Sequence, residues 1–255
     1  MLNKKKLVIA NWKMNLSHRE AVDLAYDIAE FRNRNDIEAV LCPCFASLVS
    51  VAEAISDSSY FLGAQDAFYH QQGSYTGEMS PRVLKEIGCD FVIVGHSERR
   101  QYLGESDEDV NRKVRACLEN RLIPIMCVGE TLDDRREGLT DLTIIRQITK
   151  GLEDIEFKKN QRLVIAYEPV WAISPAQPAH PKDVKEVLQI INSLLLDFFE
   201  AQALDDNITL IYGGAVDGDD VNKFIDGFCN GVIVGAQSLK AENFIRILRN
   251  IKEHG

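Results

Sequence analysis

The sequence predicts an α/β fold on a parallel sheet, and three observations carry that prediction. Short apolar runs recur eight times along the chain. None shows the polar alternation of a half-exposed strand. Amphipathic stretches of helical period fill the intervals. Strands apolar on both faces suit a parallel sheet covered by helices. A closed eight-stranded barrel and an open doubly wound sheet share this alternation, and periodicity does not choose between them.

In chain order the predicted strands are Leu7–Ala10, Ala39–Cys42, Tyr60–Leu62, Phe91–Val94, Ile123–Val128, Leu163–Tyr167, Thr209–Tyr212 and Val232–Val234. Among the stretches between them, His18–Phe31, Asp107–Leu118, Pro181–Phe199 and Glu242–Ile251 read as helices. In the third, Val184, Val187, Leu188 and Ile191 share one helical face, and Pro181 suits a first turn. The most loop-like segment, Ser174–Pro181, holds three prolines and joins a strand to a helix.

The chain has 255 residues, about the length of one (β/α)₈ barrel. No low-complexity linker divides it, so residues 1–255 read as one domain. The net charge of −10 opposes broad nucleic-acid binding, which needs a basic footprint. It does not exclude an anionic ligand, which responds mainly to nearby donors. No apolar run is long enough to span a membrane, and Leu7–Ala10 is too short for a signal sequence. Cys42, Cys44, Cys89, Cys117, Cys127 and Cys229 are scattered, which suggests reduced thiols in a cytoplasmic protein. Cys42-Pro43-Cys44 lacks zinc-site spacing, and no metal is expected.

Catalytic residues of parallel α/β folds gather where strands end. The strand ends here carry Asn11 and Lys13, then Gly95, His96, Ser97 and Glu98, then Gly129 and Glu130, then Glu168, then Gly213 and Gly214, then Gly235. A carboxylate can take a proton from carbon, and an imidazole can move protons between oxygens. A lysine and exposed backbone N–H groups can hold a phosphate or a developing oxyanion. Each residue alone has an ordinary structural reading; their common position on one rim carries the signal. Gly213-Gly214-Ala215 is not a dinucleotide fingerprint, and no Walker sequence is present.

The segments Ala10–Asn15, Val94–Arg100, Cys127–Glu130, Ala166–Ala172, Thr76–Glu78 with Ser80-Pro81, and Tyr212–Gly214 resemble the triosephosphate isomerase family, in order, from about Leu7 to Leu248. The resemblance implies a TIM (β/α)₈ barrel, eight parallel strands ringed by helices. It implies an enzyme that interconverts glyceraldehyde 3-phosphate and glycerone phosphate through an enediol(ate), without a cofactor. Glu168 would be the base, His96 a neutral imidazole at the substrate oxygens, Lys13 a positive charge, and Asn11 a polarising amide. Glu98 would belong to the catalytic surround. This family is itself the type case of a glutamate base beside a histidine kept neutral by a helix N-terminus. Ser97 is expected to be the N-cap of that helix. The phosphate clamp would be Ser174, Ala215 with Gly213 and Gly214, and Gly235 with Ala236. The lid would follow Glu168, with Trp171 in its first hinge and Gln177-Pro178-Ala179 in its second; lid closure in this family excludes water and gates turnover.

The chain departs from the family pattern at the lid tip, Ser174–Pro178, where two glycines and a lysine are replaced. It also has Ala215 in place of a serine, and Ala236-Gln237 in place of glycine and alanine. The paired change at Ala176 and Ala215 predicts a slower or leakier enzyme. The resemblance further implies a homodimer through the Phe68–Met79 loop, with Thr76, Glu78, Arg99, Met14 and Gln65 at the contact. A four-carbon ketose phosphate isomerase and a catalytically silent sugar-phosphate-binding barrel are the alternatives.

Overall fold

Strand residues alternate between two apolar environments. Leu7 and Ile9 join one buried cluster with Val40, Phe91, Ile93, Ile125, Val164, Ala166, Ile211 and Ile233. Their neighbours Val8 and Ala10 join another, with Ala39, Leu41, Val92, Val94 and residues of the surrounding helices. A strand with period-two side chains and apolar residues at both parities must have apolar partners on both faces. The two clusters are the inside of a barrel and the layer between barrel and helices.

The computed structural model describes residues 4–172, 178–225 and 227–252. Its first half runs β1 (Lys6–Asn11), α1 (His18–Ala29), β2 (Ile37–Cys42), α2 (Leu48–Ala54), β3 (Phe61–Ala64), α3 (Pro81–Ile87), β4 (Cys89–Val94), α4 (Ser97–Leu103) and α5 (Asp107–Glu119). The second half runs β5 (Ile123–Val128), α6 (Leu132–Arg136), α7 (Thr140–Gly151), β6 (Leu163–Tyr167), α8 (Pro181–Phe198), α9 (Ala201–Asn207), β7 (Ile208–Gly213), α10 (Val221–Phe224), β8 (Gly231–Val234) and α11 (Ala241–Asn250). The strands pair in sequence order, all parallel, and β1 pairs with β8 to close a barrel. The closing register sets Leu7 opposite Gly231 and Ala10 opposite Val234.

Helix starts follow local chemistry. Ser17 and Ser106 form capping boxes with Glu20 and Asp109, and Pro181 occupies the first turn of α8. Among the described residues, no single helix is long and apolar enough to cross a membrane. The lower end of the barrel interior is plugged by Arg162, whose guanidinium makes a fork to Glu38 at 2.7 and 3.1 Å. The polar residues at the opposite, carboxyl ends of the strands remain free to build a site.

Candidate active site

Lys13 lies just past β1 with its backbone φ at 53°, a region that non-glycine residues occupy at a cost. Its surroundings hold it there. Asn11 Oδ1 accepts the Lys13 N–H at 3.1 Å, and Gln65 Nε2 donates to the Lys13 carbonyl at 2.8 Å. Gln65 also donates to the Cys42 carbonyl at 3.0 Å, so β2 and β3 fix the turn that aims Lys13. Glu98 Oε1 lies 2.6 Å from Lys13 Nζ.

His96 follows β4, where Gly95 at φ +69° turns the chain into α4. The cap of α4 differs from the expected one. His96, not Ser97, is the N-cap: its Nδ1 accepts the Glu98 N–H at 3.2 Å, and Ser97 is the first helical residue. The imidazole reaches the N-terminal amide as a capping serine would, and the Ser97 hydroxyl is buried without a partner. A ring nitrogen that accepts carries no proton, so a neutral His96 holds its proton on Nε2.

Glu168 follows β6, and its N–H donates to the Val128 carbonyl at 2.7 Å. Its side chain is buried. Oε1 lies 3.4 Å from His96 Nε2, and Oε2 receives a long contact from the Ser97 N–H at 3.5 Å. Gly213 makes this seat possible. A Cβ there would stand 2.7 Å from Glu168 Cγ and 2.7 Å from Ile233 Cγ2. Beside Glu168, burial and the Glu168 charge push the Cys127 thiol well above its ordinary value, so it stays protonated.

One cavity of about 390 Å³ opens over these groups. Asn11, Lys13, His96, Glu168, Gly213, Gly214, Ala215, Gly235 and Ala236 all line it. Glu98 stands behind, bound to Lys13. The expected phosphate ligand Ser174 and the lid tip 173–177 lie outside the described residues; Pro178 lines the cavity. Sequence reasoning missed Gln65 as a support for Lys13, and the cavity-lining Asn15, Asp217 and Asp220. Only the position of Asp217, three residues past Gly214, could have suggested a wall residue.

Trp171 sits in a 3-10 turn, Val170–Ala172, directly before residues 173–177. Its indole N–H donates to Glu130 Oε1 at 2.7 Å, and the Tyr167 hydroxyl meets the same carboxylate at 3.1 Å. Arg135 lies over the Trp171 ring, 4.2 Å from its centroid, and pairs with Asp183 of α8 at 2.6 Å. The chain on each side of 173–177 is therefore tied to α6.

The arrangement offers a buried carboxylate, a proton-bearing imidazole nitrogen and an ammonium around one small volume. That set suits proton abstraction beside a carbonyl, with the oxygen stabilised as charge develops. The profile of the family described as triosephosphate isomerase matches residues 6–251. A protein named triosephosphate isomerase from Dictyoglomus turgidum is 37% identical over 249 residues, covering 97% of this chain and 100% of that relative. Proteins of the same name from Carboxydothermus hydrogenoformans and Caldanaerobacter subterraneus subsp. tengcongensis are 38% and 39% identical. The first covers 96% of this chain and 98% of that relative; the second covers 96% and 99%.

Proposed function

This chain belongs to the triosephosphate isomerase family, and we propose that Glu168, His96, Lys13 and Asn11 carry out the family's isomerisation in the cavity at the strand ends. The reaction interconverts glyceraldehyde 3-phosphate and glycerone phosphate. Glu168 takes a proton from the carbon beside the carbonyl and returns it to the neighbouring carbon. His96 donates its Nε2 proton to the carbonyl oxygen as negative charge builds there, and is reprotonated by a second proton taken from the adjacent hydroxyl, which becomes the new carbonyl. Lys13 exchanges its pairing with Glu98 for the substrate. The ammonium and the Asn11 amide then stabilise the enediolate oxygens. Gly213, Gly214, Ala215, Gly235 and Ala236 receive the phosphate through backbone N–H groups, with Ser174 completing the clamp.

One observation carries the reading: His96 Nε2 stands 3.4 Å from Glu168 Oε1, with Lys13 on the same cavity. Purified chain given glyceraldehyde 3-phosphate should form glycerone phosphate without added cofactor. A four-carbon ketose phosphate run in parallel should turn over more slowly. Preference for the longer sugar would overturn the substrate assignment, and phosphate binding without turnover would favour a silent barrel.

Triosephosphate isomerases are typically dimers, and the same reading extends to this chain. The backbone bond from the Phe68 N–H to the Met79 carbonyl, 2.8 Å, closes the neck of the 68–79 loop. Phe68 and Tyr69 stack at 4.1 Å and His70 and Tyr75 at 4.9 Å, which stiffens the loop. Thr76 and Glu78 are exposed on it, and Met14 is 94% exposed. Arg99 and Gln65 instead engage their own chain, Arg99 with Asp66 and Glu105 and Gln65 with Lys13. Light scattering that returns a single-chain mass would exclude the dimer. The free thiols support a cytoplasmic location, and the continuous barrel supports one domain over 1–255.

A further inference from the structure

Gln237 lines the same cavity as Lys13, Gly235 and Ala236, yet the chemistry above gives it no task. It belongs to the 3-10 turn Ala236–Leu239 that starts after Gly235. That turn is held from below, because the buried Ser238 hydroxyl is within hydrogen-bond reach of the Val234 and Gly235 carbonyls, at 3.1 and 2.6 Å. It is held from the side by α11, where Asn243 Nδ2 donates to Gln237 Oε1 at 2.9 Å. A carboxamide has one accepting end and one donating end. With the oxygen committed to Asn243, the Nε2 end is left over, and among the described residues no protein acceptor takes its N–H groups.

We propose that Gln237 is a phosphate ligand. Its Nε2 donates to the phosphate monoester of the substrate, beside the backbone N–H groups of Gly235 and Ala236. The inference rests on the reading that this end of the cavity takes the phosphate. The charge balance of the wall gives the residue a reason. Asp217 and Asp220 line the same cavity and disfavour a dianion. Asp217 Oδ1 accepts the N–H groups of Asp219 and Asp220, at 2.8 and 3.1 Å. A side-chain amide adds two donors there without placing a second ammonium beside Lys13.

Two full-length variants separate a ligand from a structural support. Gln237→Ala deletes the donors and also the Asn243 contact. Gln237→Glu keeps an acceptor for Asn243 and turns the cavity end into a carboxylate. Binding of inorganic phosphate is read by calorimetry and by competitive inhibition of turnover, beside KM, kcat and the melting temperature. A ligand role predicts that Gln237→Ala weakens phosphate binding by roughly tenfold. Gln237→Glu should weaken it further, and in both variants KM should rise by a larger factor than kcat falls. A purely structural role predicts that Gln237→Ala lowers the melting temperature and leaves phosphate affinity within about twofold of the parent, while Gln237→Glu weakens phosphate binding through its added charge alone. Unchanged affinity in Gln237→Ala would overturn the proposal. A parent that binds phosphate but does not isomerise would remove the assigned reaction and leave this test standing. A parent that binds no phosphate would remove both.

Discussion

The Nδ1 of His96 accepts the backbone N–H of Glu98 at 3.2 Å, and this short-range bond decides which ring nitrogen faces Glu168. The helix cap and the proposed proton donor are one side chain. The helix start uses the accepting nitrogen, so the proton of a neutral ring stands on Nε2, 3.4 Å from Glu168 Oε1. The distance between these two groups is set by rigid strands and leaves little room for a shorter base. Glu168→Asp would withdraw the carboxylate by about one C–C bond, roughly 1.5 Å. Turnover should fall by about a hundredfold or more, since misplacement on that scale costs about that much. Inhibition by inorganic phosphate should stay close to the parent's. Equal kcat in the two proteins would remove Glu168 as the base.

Gly213 makes a second prediction. It lies in β7 with no positive φ, so alanine meets no backbone penalty there. The penalty is steric: the new Cβ would sit 2.7 Å from Glu168 Cγ and 3.1 Å from Oε1. Gly213→Ala should lower stability by about 1–3 kcal/mol through overpacking. It should also lower kcat by tens of fold or more by displacing the base. Gly227→Ala, which meets nothing within 4 Å, serves as the control. Equal turnover in the two variants would show that the base is not seated against β7.

The eight strands were legible because each is apolar at both parities, a pattern that only a doubly covered sheet satisfies. Lys13, His96 and Glu168 were legible because they follow strands directly. Closure was not, since an open sheet uses the same local pattern and the β1–β8 pairing joins residues more than 200 positions apart in the chain, such as Leu7 with Gly231. Ser97 was misread as the cap because local propensity ranks serine over histidine, while the structure uses His96 Nδ1. The left-handed backbone of Lys13 left no mark in the letters, because Gln65 enforces it from 52 residues away. The tie of Gln237 to Asn243 and the ionic cluster around Asp66 are likewise partnerships of folded segments.

That cluster supports a stability prediction. Lys113 Nζ lies 2.7 Å from Asp66 and 2.9 Å from Glu105, and Arg99 contacts both carboxylates, at 2.9 and 2.5 Å. Asp66, Glu105 and Lys113 are buried. Lys113→Met would leave two buried carboxylates with one guanidinium, at a cost of about 3–5 kcal/mol. Urea unfolding measures it; a loss under about 1 kcal/mol would mean the cluster relaxes into water.

The same cluster has a pH signature. Burial raises the Asp66 carboxyl to about 6, against the pull of Lys113 and with the push of Glu105. Its folded value exceeds its unfolded value of 3.8, so over roughly pH 4 to 6 the folded state holds the extra proton. The contribution of Asp66 to stability therefore falls as pH rises through that window. Asp66→Asn removes the titration. From pH 4 to 7 the stability gap between variant and parent should move in the variant's favour, by about 1–3 kcal/mol. Movement the other way would mean that Asp66 is ionised throughout, held by its two cations.

The turn Val170–Ala172, which holds Trp171, makes the last prediction. Glu130 has no solvent exposure, and burial raises its carboxyl above the ordinary value, against hydrogen bonds from Trp171 and Tyr167 and the charge of Arg135. Of these partners, Trp171 Nε1 makes the shortest contact, 2.7 Å, beside 3.1 and 3.2 Å for the Tyr167 hydroxyl and 3.9 Å for Arg135. Trp171→Phe keeps an aromatic face for Arg135 and deletes the indole N–H. The carboxylate then loses its nearest donor, and stability should fall by about 1–3 kcal/mol at neutral pH. The sign with pH is fixed by linkage. Losing a bond that favours the ionised form raises the folded value of Glu130 further, so the cost of ionising it grows as pH climbs above the unfolded value. The deficit of the variant should be smaller at pH 5 than at pH 8, because at the lower pH Glu130 can keep its proton. Urea unfolding of both proteins at the two pH values measures this, and a deficit that does not change with pH would mean the indole N–H is not what keeps Glu130 charged.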